Sequence, residues 1–173
     1  RDMGASLKRV GQQPTFKRDS DYFLKTIGGI KSIDAFLSND RVYRYAMKAF
    51  GLSDMIYAKA FVRKVLTDGI DSNRSFANQL ADPRFRDLAA TFNFKSFGTA
   101  TTSFDKAQQG VVDKFLETEL EEQAGAQNEG VRLALYFQRK ASGITSAYSI
   151  LADPALLKVA QVALGLPAAT SSA

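Results

Sequence analysis

Cysteine, histidine and tryptophan are absent from the 173 residues, and proline occurs only four times. Each absence closes off a chemistry. Without cysteine there is no disulfide, no thiolate metal site and no thiol nucleophile. Without histidine the commonest general base near neutral pH and the commonest metal ligand are both missing. A serine hydrolase would then need a Ser–Lys pair, and no serine–lysine spacing stands out. The expectation is a chain that is not an enzyme and that uses no cofactor and no metal. Long hydrophobic runs are missing too, none approaching the roughly 18 residues that span a bilayer, so no membrane span is expected. The opening RDMGASLKRV also lacks the apolar core of a signal peptide.

What is present describes helices. Hydrophobic residues make up 45% and charged residues 24%, ordinary values for a globular chain long enough to bury one core. The clearest stretch is Gly29 to Leu52, GIKSIDAFLSNDRVYRYAMKAFGL. Ser32 is placed to cap a short helix through Leu37, and Asn39-Asp40 to start the next. Val42, Tyr45, Ala46, Ala49 and Phe50 then fall at i, i+3, i+4, i+7 and i+8, one apolar stripe, and Gly51 stands where a left-handed stop is wanted. Together they describe a helix-turn-helix.

The same signals place the other elements. Residues 1–17 are polar and read as a poorly ordered lead-in, with the first long helix starting at Asp19 or Ser20. Ser53 opens a helix through about Leu66, and Asp82-Pro83 caps another that carries Phe85, Leu88, Ala89 and Phe92 and stops at a left-handed Asn93. Lys95–Ser103 reads as a loop, and Ser103 or Asp105 begins the longest helix, broken at Gly125. The tail is 168–173. The fold class expected is all-α, a compact bundle of about eight helices forming one domain over 18–167.

A repeat runs through it. Residues 18–52 align with 132–166 without a gap, eleven of 35 positions being identical, among them Tyr22/Tyr136, Phe23/Phe137, Gly51/Gly165 and Leu52/Leu166. A looser copy lies around 69–94. Identity at positions that are not caps favours duplication. The copies are spaced unevenly, which fits a bundle with internal symmetry better than a solenoid.

Charge is uneven. Residues 1–76 carry 14 Lys/Arg against 8 Asp/Glu, and residues 111–130 carry one Lys against six acids. Such asymmetry suits a protein partner or a second copy. The candidate partner-binding residues are Arg41, Arg44 and Lys48, spaced i, i+3 and i+7 opposite the apolar stripe, with Lys59, Arg63 and Lys64 on the following helix. A basic helix face in a helix-turn-helix also raises the binding of nucleic acid or of another acidic surface as the alternative, though that second helix lacks base-reading Asn or Gln. Tyr43, Tyr45 and Tyr57 read as rings at the edge of the core with wet hydroxyls. Asp113, Glu117 and Glu121, with Glu119 and Glu122 beside them, read as a solvated acidic face rather than a metal site.

With AFGL (49–52), FVRKVL (61–66), ANQLADPRF (77–85), RLAL (132–135) and GLP (165–167) in this order, the chain resembles a bacterial family of unknown function commonly met near flagellar genes. The resemblance covers about Tyr22 to Pro167 and brings no catalytic residues with it. It implies a helical domain with a contextual link to flagellum assembly. The expectation is an interaction or scaffold module, cytoplasmic or flagellum-associated, that binds a flagellar component or another copy of itself.

Overall fold

The computed structural model describes residues 3–141 and divides the chain into two compact units, 1–121 and 122–173. Among the described residues every regular element is helical: α1 (Met3–Gly11), α2 (Pro14–Ile27), α3 (Ile33–Ser38), α4 (Asp40–Ala49), α5 (Lys59–Asp68), α6 (Phe76–Gln79), α7 (Pro83–Thr91), α8 (Phe94–Phe97) and α9 (Gln109–Ala141). The all-α bundle expected from the sequence is the fold observed.

In the first unit α4 contributes six buried side chains to the core. It starts because Asn39, extended at the junction, accepts a hydrogen bond from Val42 N–H at 3.0 Å, just as Ser32 accepts from Ala35 N–H at 3.1 Å to start α3. It ends because Gly51 takes φ +73°, which lets Leu52 N–H reach Met47 C=O at 2.8 Å and Gly51 N–H reach Lys48 C=O at 2.9 Å. Leu52 is thereby turned into the core, fully buried. A Cβ at Gly51 would meet the Arg84 side chain, Cδ at 3.7 Å and Nη1 at 3.8 Å, both ordinary contacts, so its burden is the backbone conformation itself. Gly51→Ala is therefore expected to destabilise by about 1–2 kcal/mol, read as a lowered urea midpoint with an unchanged slope.

Between its ends α4 buries Val42, Tyr43, Tyr45, Ala46, Met47 and Ala49. It lies against α2 and α3, and α5 packs on α3, α7 and α8. Phe36, Phe92 and Phe50 interlock where α3, α4 and the end of α7 meet. A second aromatic series links α2, α4 and α9: Phe23 stacks on Tyr45 at 4.7 Å and Tyr45 on Phe115 at 4.0 Å, with Phe16 edge-on to Phe115 at 5.9 Å.

Several local expectations give way. The lead-in is helical: α1 buries Val10, and α2 begins at Pro14, whose missing N–H costs nothing in a first turn. Ser53 opens only a 3-10 turn, because Tyr43 donates a hydrogen bond to Ile56 C=O at 2.9 Å and that carbonyl marks the break before α5. Asn93 keeps a negative φ and caps α8 through Ser96 N–H instead of stopping α7 in a left-handed turn. The segment expected as a loop after Lys95 winds into α8 and a 3-10 turn, held where Thr101 Oγ1 and Thr102 Oγ1 donate to the carbonyls of Gly98 and Ile30 at 2.8 Å. The longest helix starts at Gln109 and runs on through Gly125, where an interior glycine costs only about 1 kcal/mol. In the second unit, residues 122–130 of α9 are exposed. Of the second copy of the repeat, 132–166, residues 142–166 lie outside the described residues, as does the tail.

Candidate functional site

The six basic side chains singled out by spacing sit on α4 and α5, and the fold gives each a partner. Arg41 Nη2 lies 3.3 Å from Asp19 Oδ1 of α2, with its guanidinium 4.1 Å above the Tyr22 ring. Arg44 Nε reaches Asp40 Oδ2, one turn back, at 2.7 Å. Lys59 Nζ stands 4.0 Å from Oδ1 of the same Asp40 and 5.2 Å over the Tyr43 ring. Arg63 pairs with Asp34 of α3, and Lys64 caps the Phe76 ring at 4.7 Å. These pairs are exposed and individually weak, of the order of 0–1 kcal/mol.

Lys48 differs. Its Nζ is 2.8 Å from Oε1 of Glu119 on α9, and that carboxylate is 7% exposed. The contact lies outside hydrogen-bond angles, so Oε1 is buried with a neighbouring charge but no donor aimed at it. Close by, Thr118 Oγ1 donates to Ala49 C=O at 3.3 Å and Lys114 Nζ lies 5.5 Å over the Phe50 ring. Together these fasten the start of α9 along α4.

A cavity of about 600 Å³ opens where α2, α4 and α9 meet. Phe16, Tyr45 and Phe115 form its apolar floor, and Asp19, Arg41, Arg44 and Lys48 stand around it. A shallower hollow of about 410 Å³ adjoins it, lined by Ser53, Ile56, Tyr57 and Lys59, with Asp40 and Arg44 common to both. Arg41, Arg44, Lys48 and Lys59 are thus brought together on one grooved surface, whereas Arg63 and Lys64 line neither hollow.

The tyrosines divide. Tyr57 is 81% exposed, but Tyr43 and Tyr45 are buried rather than wet-edged. The Tyr43 hydroxyl is taken up by Ile56 C=O, and the Tyr45 hydroxyl lies 2.7 Å from Ser20 Oγ. Burial raises the pKa of both phenols above the ordinary 10.0; at Tyr43 Arg44 works against that rise, and at Tyr45 the Ser20 hydrogen bond does.

Asp113, Glu117 and Glu121 are exposed, as a solvated face requires, and none of the three is ion-paired among the described residues. Glu119 is the residue that its charge misplaced. It follows Val112 and Phe115 at i+7 and i+4, so it belongs to the buried stripe of α9 and not to the acidic one. That signal was present in the sequence. Among the described residues no group of three or more carboxylates could hold a metal ion, and no helix is long and apolar enough to cross a membrane.

Residues 49–173 match a family described as a protein of unknown function, DUF1217. The chain belongs to that family. Comparison with curated proteins gives no match. Among solved structures the DUF1217 chain is similar to the X-ray crystal structure of a protein from Agrobacterium tumefaciens, at 48% identity and a TM-score of 0.73. The alignment covers 93% of this chain and 70% of that one. The bacterial family of unknown function expected from the motifs is thereby found. The DUF1217 match begins at Ala49, so Lys59, Arg63 and Lys64 lie within it, while Arg41, Arg44 and Lys48 precede it.

Proposed function

We propose that this DUF1217 chain is a non-enzymatic protein-interaction module that docks a partner on the grooved surface of α4, in the setting of the bacterial flagellum. The observation that carries the reading is the groove: an aromatic floor of Phe16, Tyr45 and Phe115 beside half-exposed arginines and the exposed Tyr57. Aromatic and arginine side chains around an apolar floor are the composition of interface hot spots. Surface pairs such as Arg44–Asp40 exchange partners at little cost, so the arginines remain available to an incoming carboxylate. The flagellar setting rests on the resemblance of the motifs to a family met near flagellar genes.

The alternative, phosphate binding along α4, is disfavoured by the same geometry. Asp19, Asp34, Asp40 and Glu119 stand within 4.0 Å of five of the six cations, so little uncompensated positive charge is left for the run of phosphates that a nucleic acid presents, whereas one or two carboxylates need only exchange with a single surface pair. Capture experiments in lysate of motile bacteria test the leading reading. Motility components are expected on the wild-type chain and much reduced on the Arg41→Glu, Arg44→Glu variant; equal capture by both would refute the α4 groove as the docking surface. A gel shift at low salt, where phosphate-driven binding is strongest, is expected to show no DNA complex, and a complex lost with the same two substitutions would favour the alternative.

A further inference from the structure

We infer that the shallower hollow, between α4 and the start of α5, is a docking site for the acidic face of α9 from a second copy of this chain. The inference rests on the docking role proposed above and names an occupant for part of that surface. Its starting point is an imbalance of charge. Arg44 and Lys59 both lie within 4.0 Å of one carboxylate, Asp40, and no other carboxylate lines the hollow. Two cations therefore share one counter-charge at a concave surface beside Tyr57, a large side chain left 81% exposed.

The same unit carries the complement. Asp113, Glu117 and Glu121 recur every four residues along α9, all exposed and none ion-paired among the described residues; Asp113 accepts a hydrogen bond from the Gln109 amide at 3.0 Å. Carboxylates four residues apart on a helix stand about 5–6 Å from each other at their Cβ atoms. That interval suits two cations gathered around one Asp. Seating Glu117 and Glu121 at Arg44 and Lys59 would give each cation its own carboxylate, with the Tyr57 ring closing over the helix. Like-charge neighbours on α9 would be relieved in the same step. Because hollow and stripe are different surfaces of one chain, the contact is either made twice in a two-fold pair or made once per interface, head to tail, in a ring or an open chain.

Sedimentation velocity on the full chain tests this. At about 20 mM salt, where charges act over roughly 20 Å or more, association is expected; at about 0.5 M it should be lost. Arg44→Glu with Lys59→Glu, and separately Glu117→Lys with Glu121→Lys, should each weaken self-association at least about tenfold. All four residues are exposed, and circular dichroism checks that the fold is kept. The decisive result is the mixture: the cation-reversed and carboxylate-reversed variants, each mismatched with itself, match each other in two contacts, one of native and one of inverted sign, and should associate. The neutral variant Tyr57→Ser should weaken association without changing its salt dependence. A wild-type chain that stays a single copy at low salt overturns the inference, and so does a mixture of folded variants that fails to associate. If motility components are still captured in that case, the interaction role stands without self-docking; if self-docking is found and no such component is captured, the flagellar setting falls alone.

Discussion

Replacing Tyr45 by alanine is expected to remove about 3–5 kcal/mol of folding stability, the scale of an aromatic truncation in a core. The ring is 5% exposed and lies between Phe23 and Phe115, at 4.7 and 4.0 Å, so its loss uncouples α2, α4 and α9 at once. The resulting cavity would open into the groove, which has Tyr45 as part of its floor. Tyr45→Phe keeps the stack and loses only the hydroxyl facing Ser20, for about 1 kcal/mol. The pair of variants separates packing from hydrogen bonding. It also separates their pH dependence. Burial raises the folded pKa of Tyr45 and Tyr43 above the unfolded value of 10.0, so the neutral phenol is the form that the fold favours. Their contribution is complete below that value and declines as pH rises above it, when the unfolded chain ionises first. Urea midpoints measured across the alkaline range should fall in the wild type and fall less steeply in Tyr45→Phe. An unchanged slope would mean that the phenol is not protected in the folded chain.

Removing the charge of Lys48 is expected to have the next largest effect. Lys48→Met leaves the Glu119 carboxylate, 7% exposed, without its neighbouring cation. Breaking a buried pair in this way costs about 3–5 kcal/mol, and the one-third exposure of Lys48 places the effect near the lower end. The combined variant Lys48→Met with Glu119→Leu should recover most of that loss, since an apolar pair of similar volume need not be desolvated. Chemical denaturation of the four proteins gives the coupling energy directly. If Lys48→Met is as stable as the wild type, the pair is not what fastens α9 to α4. If the double variant is stable but its groove no longer binds, the charges serve docking as well as folding.

Glu119 also shows how far sequence reasoning reached in the site. Its spacing from Val112 and Phe115 put it on the inward stripe, yet its charge drew it into the acidic face with Asp113, Glu117 and Glu121. Periodicity gave the right side and residue chemistry the wrong one. Arg41 and Arg44 are exposed on α4 and Lys48 half-buried, opposite the apolar stripe as their spacing describes. That Arg41 would lie on Tyr22 and beside Asp19, or that Arg44 and Lys59 would meet at a single Asp40, depends on how α2 and α5 cross α4.

The sequence by itself determined that the chain is helical and where several of its helices begin or end. Ser32, Asn39 and Asp82 cap because a short side-chain oxygen reaches the next turn's N–H whatever surrounds it, and Gly51 stops α4 because only glycine takes φ +73° without strain. These are interactions within four or five residues, fully written in the local order. Tertiary structure alone decided which polar groups were buried and with what. Tyr45 meets Ser20 across 25 residues and Lys48 meets Glu119 across 71, and Thr102 closes on Ile30 across 72. No periodicity encodes such a meeting, because it follows from the angles at which whole helices pack. The groove on α4 is made of those meetings.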